Sequence, residues 1–247
     1  MHPSLSALVL TVVVGLIVGT INAMAGGASI ISYPVLLALG LAPINAAITN
    51  ALGVSSANFF ALGGSKKRFK DLFYLYRIQI IASVICSIIG ALLLLSMPPG
   101  VFEKIVPFLL LGATLTFLIP VGTVRKLKRK SFETLLIGAS GLYCGYFGPG
   151  QGVMVVAALA RDSESKTKDL NGAKNIIVGI TSLASNLIYI FSGKAQWWFV
   201  VALLIGSSLG GIQGGRWAKL ASPEFYRRIV FIVGMCASLW LFVKYFF

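Results

Sequence analysis

Acidic side chains and histidine are scarce in this chain of 247 residues. Asp and Glu together number seven, and His2, at the extreme N-terminus, is the only histidine. Histidine metal sites and Ser-His or Cys-His nucleophile systems are therefore excluded. The carboxylates fall in predicted loops or near the ends of predicted helices: Asp71, Glu103, Glu133, Asp162, Glu164, Asp169 and Glu224. We expect neither an enzyme nor an interior cation site or proton relay made of carboxylates.

Cysteines and nucleotide-binding motifs are also few. Cys86, Cys144 and Cys236 lie far apart in predicted helices, so they form neither a disulfide framework nor a metal-ligand spacing. We interpret them as small buried packing residues. The chain has no Gly-x-x-x-x-Gly-Lys-Ser/Thr motif. We therefore expect no cofactor and no direct use of ATP within this chain.

Hydrophobic residues, by contrast, dominate the composition. They make up 57% of the chain, charged residues make up 11%, and the mean hydropathy is +0.89. A water-soluble globule of this length needs more polar surface, so we expect an integral membrane protein. The apolar runs are long enough to cross a hydrocarbon core about 30 Å thick as helices, and none alternates with the period of a barrel strand. The expected fold class is an all-α polytopic membrane protein.

The net charge of +14 is concentrated in alternate loops. Connections 41–44, 97–101 and 193–196 contain a single basic residue, Lys194. This alternation follows the positive-inside rule, so we expect the basic loops on the cytoplasmic side of the cell membrane and no nucleic-acid partner. The basic groups are Lys66, Lys67, Arg68 and Lys70; Arg125, Lys126, Lys128, Arg129 and Lys130; Arg161, Lys166, Lys168 and Lys174; and Arg216, Lys219, Arg227 and Arg228.

Between these loops lie apolar segments, five in each half of the chain. Because five is odd, the halves enter the membrane from opposite sides, with both termini outside. We expect a first inverted repeat at 1–124, a cytoplasmic basic linker at 125–131 and a second inverted repeat at 132–247. Segments 28–40 and 151–160 are short, which predicts broken half-helices that meet near the bilayer midplane. The segments are 5–22, 28–40, 45–63, 74–96, 102–123, 132–147, 151–160, 171–192, 197–215 and 225–246.

The two halves also share a glycine motif. Internal duplication with matching interrupted apolar segments is typical of secondary transporters, whose substrate lies at the repeat interface. In one register Gly15, Gly19 and Gly26 align with Gly141, Gly145 and Gly152, and a register one residue shorter aligns Asn50 with Asn175.

Glycine-rich turns precede both short segments. A helix N-terminus presents unpaired N–H groups and a partial positive charge, and glycine allows a ligand to approach the backbone. Two such ends that meet predict an anion site. Lys174 is interpreted either as a cation of this site or as a residue at the cytoplasmic mouth of its helix. The candidate substrate-binding residues are Asn22, Gly26, Gly27, Thr49, Asn50, Gly148, Gly150, Gln151, Lys174 and Asn175.

Other interpretations compete with the site. Close helix packing is favoured for Gly15, Gly19, Gly141 and Gly145, which have small-xxx-small spacing. An asparagine at a helix start can be only an N-cap, although two at matching repeat positions favour a site. We assign no role to four lone polar residues: Asn58, Arg77, Gln79 and Asn186.

The paired motifs resemble those of a known family, the sulfite exporter TauE/SafE family, over essentially the whole chain. The resemblance implies a permease for small sulfur-containing anions, such as sulfite, thiosulfate or organosulfonates, in a bacterial or archaeal cytoplasmic membrane. The residues that carry it are Gly15-Leu-Ile-Val-Gly19-Thr-Ile-Asn22-Ala-Met-Ala-Gly26-Gly27 with Pro34, Gly40, Ala46 and Thr49-Asn50, and Gly141-Leu-Tyr-Cys-Gly145-Tyr-Phe-Gly148-Pro149-Gly150-Gln151-Gly152 with Ala173-Lys174-Asn175.

We therefore expect a secondary transporter that works by alternating access. Export is favoured because it is the family's named activity and an inside-negative potential drives anions outward. A passive anion channel and a permease for another small organic anion stay open, whereas a scaffold for an enzyme would leave the interior donors without a purpose. The expected partners are the small anion and the lipid bilayer, and a homo-oligomer stays open.

The predicted topology can be tested with single cysteines in a background that lacks the native ones. Cysteines at positions 66–70 and 125–130 are expected to resist a membrane-impermeant thiol reagent in intact cells, because these loops face the cytoplasm. Cysteines at 42 and 99 should react. Labelling of the basic loops from outside, with 42 and 99 protected, would reverse the orientation.

Overall fold

The structure, a computed structural model, describes residues 3–24, 26–62, 69–118, 130–160, 170–217 and 223–247. Its regular structure in these ranges is helical, without strands, so the predicted all-α fold class is confirmed. A short 3₁₀ turn, Thr116–Leu118, follows α7. The α-helices are α1 Leu5–Met24, α2 Ser29–Ala38, α3 Pro43–Val54, α4 Ser56–Ala61, α5 Phe69–Leu75, α6 Arg77–Ser96, α7 Pro99–Leu115, α8 Lys130–Tyr146, α9 Gln151–Leu159, α10 Leu170–Ile190, α11 Trp197–Trp217 and α12 Pro223–Phe246.

Among the described residues, six stretches are long and apolar enough to cross a membrane. Their outer faces are apolar: on α6, for example, Ile78, Ile81 and Ile85 are each more than half exposed. A surface of this kind is suited to lipid and not to water. The chain is therefore a multi-pass membrane protein, as predicted. The six stretches are Leu5–Met24, Arg77–Ser96, Pro99–Leu118, Leu170–Ile190, Trp197–Gly214 and Tyr226–Phe246.

The most extensive helix packing joins the two halves of the chain. α1 packs along α11, and α8 packs along α6. Glycine allows these close approaches, because an added Cβ at Gly19 would overlap the Ser207 backbone and one at Gly145 would overlap the Ser87 backbone. Gly15 and Gly141 lie at the same two interfaces, in agreement with the packing interpretation of all four glycines.

The two short segments form short helices beside the glycine turns. α2 has ten residues and α9 has nine, which corresponds to about 15 and 14 Å, or about half of the hydrocarbon core. α2 packs against α1 and α3, and α9 packs against α8 and α10. Each short helix thus lies inside a helical hairpin and not alone against lipid.

The prediction of a single helix over 45–63 was wrong, because this segment is divided into α3 and α4 at Ser55. The Ser55 hydroxyl donates to the Leu52 carbonyl oxygen at 3.0 Å, a back-bond that tends to bend helices. The Ser56 hydroxyl lies 3.2 and 2.9 Å from those of Ser207 and Ser208 on α11. Local side-chain bonds of this kind leave no trace in hydrophobic periodicity.

The prediction of a single helix over 74–96 was also wrong. α5 ends at Leu75, α6 begins at Arg77, and Tyr76 between them has φ −108° and ψ 17°, outside the helical range.

The prediction of buried packing cysteines was wrong for Cys236, which is exposed, whereas Cys144 is buried and Cys86 is partly buried.

Several predictions concern residues outside the described ranges. They include His2, most of the linker at 125–131, and many of the basic residues on which the orientation rests. The repeat division and the topology therefore stay predictions.

Of the described carboxylates, Glu133 lies in the first turn of α8, is 4% exposed and accepts a hydrogen bond from Gln79 Nε2 at 3.1 Å.

The interface between α1 and α11 can be tested at Gly19. Gly19→Val is expected to destabilise the protein by more than about 3 kcal/mol, because the new side chain overlaps backbone that cannot rotate away. Thermal unfolding in detergent and the yield of monodisperse protein measure the loss. Gly112→Ala on α7 is the control, since nothing lies within 4 Å of an added Cβ there. Equal stability of the two variants would contradict this packing.

Candidate functional site

Two glycine-rich turns lie beside each other, each directly before a short helix. Gly26 and Gly27 have φ of 77° and 76°, and Gly148 and Gly150 have φ of 91° and 95°. Residues with a side chain rarely adopt these values, so glycine is required for both turns. The chain reverses at each turn and begins α2 or α9 without a side-chain cap on the residue before the helix.

The two turns touch each other at Gly26 and Gly152. An added Cβ on Gly26 would lie 3.2 Å from the carbonyl carbon of Gly152, and one on Gly152 would lie 3.1 Å from Gly26 Cα. These glycines align in the sequence repeat. The contact therefore joins equivalent positions of the predicted repeat. The starts of α2 and α9 are thereby brought together, and each presents the positive end of a helix dipole.

Asn22 holds the first turn in place. Its Oδ1 accepts a hydrogen bond from Ala28 N at 3.2 Å, and its backbone carbonyl accepts one from Gly26 N at 3.2 Å. The same carbonyl oxygen also accepts from Lys174 Nζ, on α10, at 2.7 Å. A residue from the second half of the chain therefore secures the turn of the first half.

Aromatic residues support the second turn. The Tyr143 hydroxyl donates to the Pro149 carbonyl oxygen at 2.7 Å, within the turn. Phe147, just before Gly148, packs edge-on against Tyr33 of α2 with ring centroids 4.9 Å apart, and against Tyr143 at 6.0 Å. The turn is thus attached to both α8 and α2.

A cavity of about 50 Å³ lies against both turns. Since one water needs about 10–15 Å³ by this measure, the space suits a ligand of a few heavy atoms. Five of the predicted site residues line it: Asn22, Gly27, Asn50, Gly148 and Gln151.

Gln151 lies in the cavity wall with a side chain that has no hydrogen-bond partner among the described residues. It is 2% exposed, and neither its Nε2 nor its Oε1 makes a hydrogen bond with any described residue. An unsatisfied buried amide is costly and infrequent in folded proteins. Its unpaired amide therefore lies in the wall of the cavity.

The asparagines at matching repeat positions have different surroundings. Asn50 lines the cavity, and its Oδ1 accepts from the Ser32 hydroxyl at 2.5 Å. Asn175 is buried outside the lining, and its Oδ1 has no partner among the described residues. Thr49 is also outside the lining, where its hydroxyl oxygen accepts from Gln196 N at 3.1 Å.

Three further predicted residues lie next to the cavity but not in its wall. Gly26 contacts Gly152, and Gly150 faces α7, where an added Cβ would lie 2.8 Å from Ala113 Cβ. Lys174 is completely buried in the first turns of α10. Its amine lies next to the cavity, against the carbonyl oxygen of Asn22, and both interpretations of Lys174 stay predictions.

Several small polar residues of the wall were not predicted from the sequence. Asn58 lines the cavity and follows Asn50 at helical spacing through Val54. Such spacing from a predicted site residue is the signal that could have found it. The other missed polar residues are Ser29, Ser55, Ser182 and Ser185.

A wider opening lies beside the connection between α2 and α3. Its volume is about 790 Å³, and the described residues of its wall include Ser4, Asn45 and Gln196 and no charged side chain. Gln196 N donates to the hydroxyl oxygen of Thr49, the neighbour of Asn50 in the sequence. The opening and the cavity therefore share α3, since Asn45 lines the one and Asn50 lines the other.

Comparison with known proteins finds relatives over most of the chain. Residues 11–241 match the profile of the family described as Sulfite exporter TauE/SafE. The chain is 29% identical over 231 residues to a probable membrane transporter protein of Haemophilus influenzae, which covers 89% of this chain and 88% of that protein. It is 26% identical to the probable membrane transporter protein YfcA of Escherichia coli, over 91% of this chain and 86% of that one. No solved structure gives a significant match.

The contact between the turns can be tested with Gly26→Val. Transport is expected to be abolished, because the side chain would press on Gly152 and Lys174 and close the approach to the backbone. Gly40→Val is the matched control: Gly40 also has a positive φ, 91°, but nothing lies within 4 Å of an added Cβ. Uptake into proteoliposomes at equal amounts of folded protein measures the difference. Equal activity in the two variants would show that the contact has no functional role.

Proposed function

The chain belongs to the sulfite exporter TauE/SafE family, and we propose that it exports small sulfur-containing anions, such as sulfite, thiosulfate or an organosulfonate, by alternating access. The observation that carries the proposal is the small cavity between two helix starts, with the unpartnered amide of Gln151 in its wall. The family and the apolar helices make the chain a membrane transporter.

The chemistry of the cavity supports an anion as the ligand. Its polar wall consists of amides, hydroxyls and backbone groups, and no carboxylate is among the described residues that line it. The starts of α2 and α9 add positive dipole ends, and Lys174 lies behind Asn22. The helix starts disfavour a cation, whereas an oxyanion in the cavity can accept hydrogen bonds from the amide, hydroxyl and backbone N–H donors of the wall.

The packing of the halves supports alternating access. α1 and α8, the first helices of the two halves, pack against α11 and α6 of the opposite half, and Gly26 meets its repeat equivalent Gly152. An inverted repeat of this kind allows one half to rock against the other around a fixed site. With the basic loops in the cytoplasm, the inside-negative potential drives a bound anion outward.

A carrier fits the described residues better than an open channel. Phe147 packs against Tyr33 and Tyr143 beside the second turn, and the cavity has a volume of only about 50 Å³. A carrier gives saturable flux and counterflow of labelled substrate, whereas a pore gives flux linear in the gradient. Proteoliposomes with labelled thiosulfate distinguish the two, and linear flux without counterflow would refute alternating access.

The binding site can be tested at Gln151. Gln151→Ala is expected to weaken the affinity for thiosulfate by about tenfold or more, because a hydrogen bond to a charged group contributes about 1.5–3 kcal/mol. The fold should survive, since no described residue loses a bond. Calorimetry on purified, monodisperse protein measures the affinity, and Asn50→Ala should weaken it by a similar factor.

Gln79→Ala is the matched control for Gln151→Ala. Both glutamines are 2% exposed, but Gln79 donates to Glu133 and does not line the cavity. This variant is expected to unfold at a lower temperature while its affinity for thiosulfate stays at the wild-type value. Unchanged affinity in both Gln151→Ala and Asn50→Ala would refute the site.

A further inference from the structure

Lys174 is a buried amine between the two halves. Its side chain is 0% exposed, its Nζ donates to the Asn22 carbonyl oxygen at 2.7 Å, and its Cδ lies 3.2 Å from the position of an added Cβ on Gly26. Asn22 and Gly152, which both line the cavity, are therefore its neighbours. In the proposed transport mechanism, the Lys174 amine only supports the first turn through its hydrogen bond to Asn22.

The described surroundings of Lys174 offer no counter-charge. Its one hydrogen bond partner there is a neutral carbonyl. α1, α3, α4 and α9, which pack against α10, contain no ionisable side chain, and the described ionisable residues of α5, α6 and α8 form no ion pair with Lys174. Glu133 instead accepts a hydrogen bond from Gln79. The described ionisable residues of α5, α6 and α8 are Lys70, Asp71, Tyr74, Arg77, Cys86, Glu133, Tyr143, Cys144 and Tyr146.

An ammonium group buried without a counter-ion is unstable relative to the neutral amine. Two events remove the cost: the group loses its proton, or an anion comes close to it. The cavity proposed for the anion is separated from the amine by the backbone of Asn22 and the Gly26–Gly152 contact. An anion there favours the ammonium form, and by thermodynamic reciprocity the ammonium form favours the anion.

We propose that the transported anion and a proton on Lys174 bind together, so that the chain carries them across the membrane as a pair. This inference rests on the proposed function. The amine takes one proton from the side where the anion enters and releases it on the side where the anion leaves, with no covalent bond to the anion. A dianion such as thiosulfate then crosses with one net negative charge, and the membrane potential still drives it outward.

The pairing predicts that protons strengthen anion binding. Thiosulfate is the probe, because it stays a dianion from weakly acidic to weakly basic pH. Its affinity for the wild-type protein is expected to rise by up to about tenfold for each unit of decrease in pH, the limit for one linked proton. Calorimetry in buffers of different ionisation enthalpy should show uptake of about one proton per thiosulfate bound.

Two variants assign the proton to Lys174. Lys174→Gln and Lys174→Arg both remove the titration, so each should bind thiosulfate with an affinity independent of pH, and Lys174→Arg should bind more tightly than Lys174→Gln. Lys194→Gln, in the connection before α11, should keep the wild-type pH dependence.

The outcomes separate this inference from the proposed function. Wild-type binding without pH dependence or proton uptake overturns the pairing and leaves the anion site intact, as does a pH dependence that persists in Lys174→Gln. No binding of sulfite, thiosulfate or taurine at any pH overturns both. If both Lys174 variants fail to fold, the wild-type proton count still tests the pairing: uptake of about one proton per thiosulfate supports it, and no uptake overturns it.

Discussion

Every backbone polar group at membrane depth must find its partner within the protein, and this constraint is most severe where two helices break beside each other. At the first break, the Asn22 side chain bonds to Ala28 N and its carbonyl accepts from Gly26 N and Lys174 Nζ. At the second, the Tyr143 hydroxyl bonds to the Pro149 carbonyl oxygen. The breaks are tolerated because neighbouring helices supply these groups, and glycines let those helices approach.

The sequence predicted the parts of the fold that depend on backbone requirements. Long apolar runs specify membrane helices, and the glycine clusters at Gly26–Gly27 and 148–152 mark turns that only glycine can adopt, so both were found. The breaks at Ser55 and Tyr76 were not predicted. They arise from side-chain bonds and from local dihedral angles that carry no periodic signal.

The sequence repeat does not extend to all polar groups near the cavity. Asn50 receives a hydrogen bond from Ser32, whereas the position of the second half that aligns with Ser32 is Ala158, which has no hydroxyl for Asn175. The two aligned asparagines therefore have different surroundings. Serines such as Ser182, which donates to the Gly179 carbonyl oxygen at 2.9 Å, look in sequence like ordinary packing residues. Only the folded arrangement shows which of them reach the cavity.

The difference between the halves also concerns charge. Lys174 aligns with Thr49, so one half places a buried amine next to the repeat interface and the other places a neutral hydroxyl there. Two symmetric lysines would hold an anion firmly and hinder its release, whereas neutral amides and helix dipoles alone would discriminate weakly between anions and neutral solutes. A single amine gives attraction that depends on its proton, and loss of that proton weakens the binding. In the proposed carrier, which must both capture and release its substrate, a single titratable amine would provide a means of release.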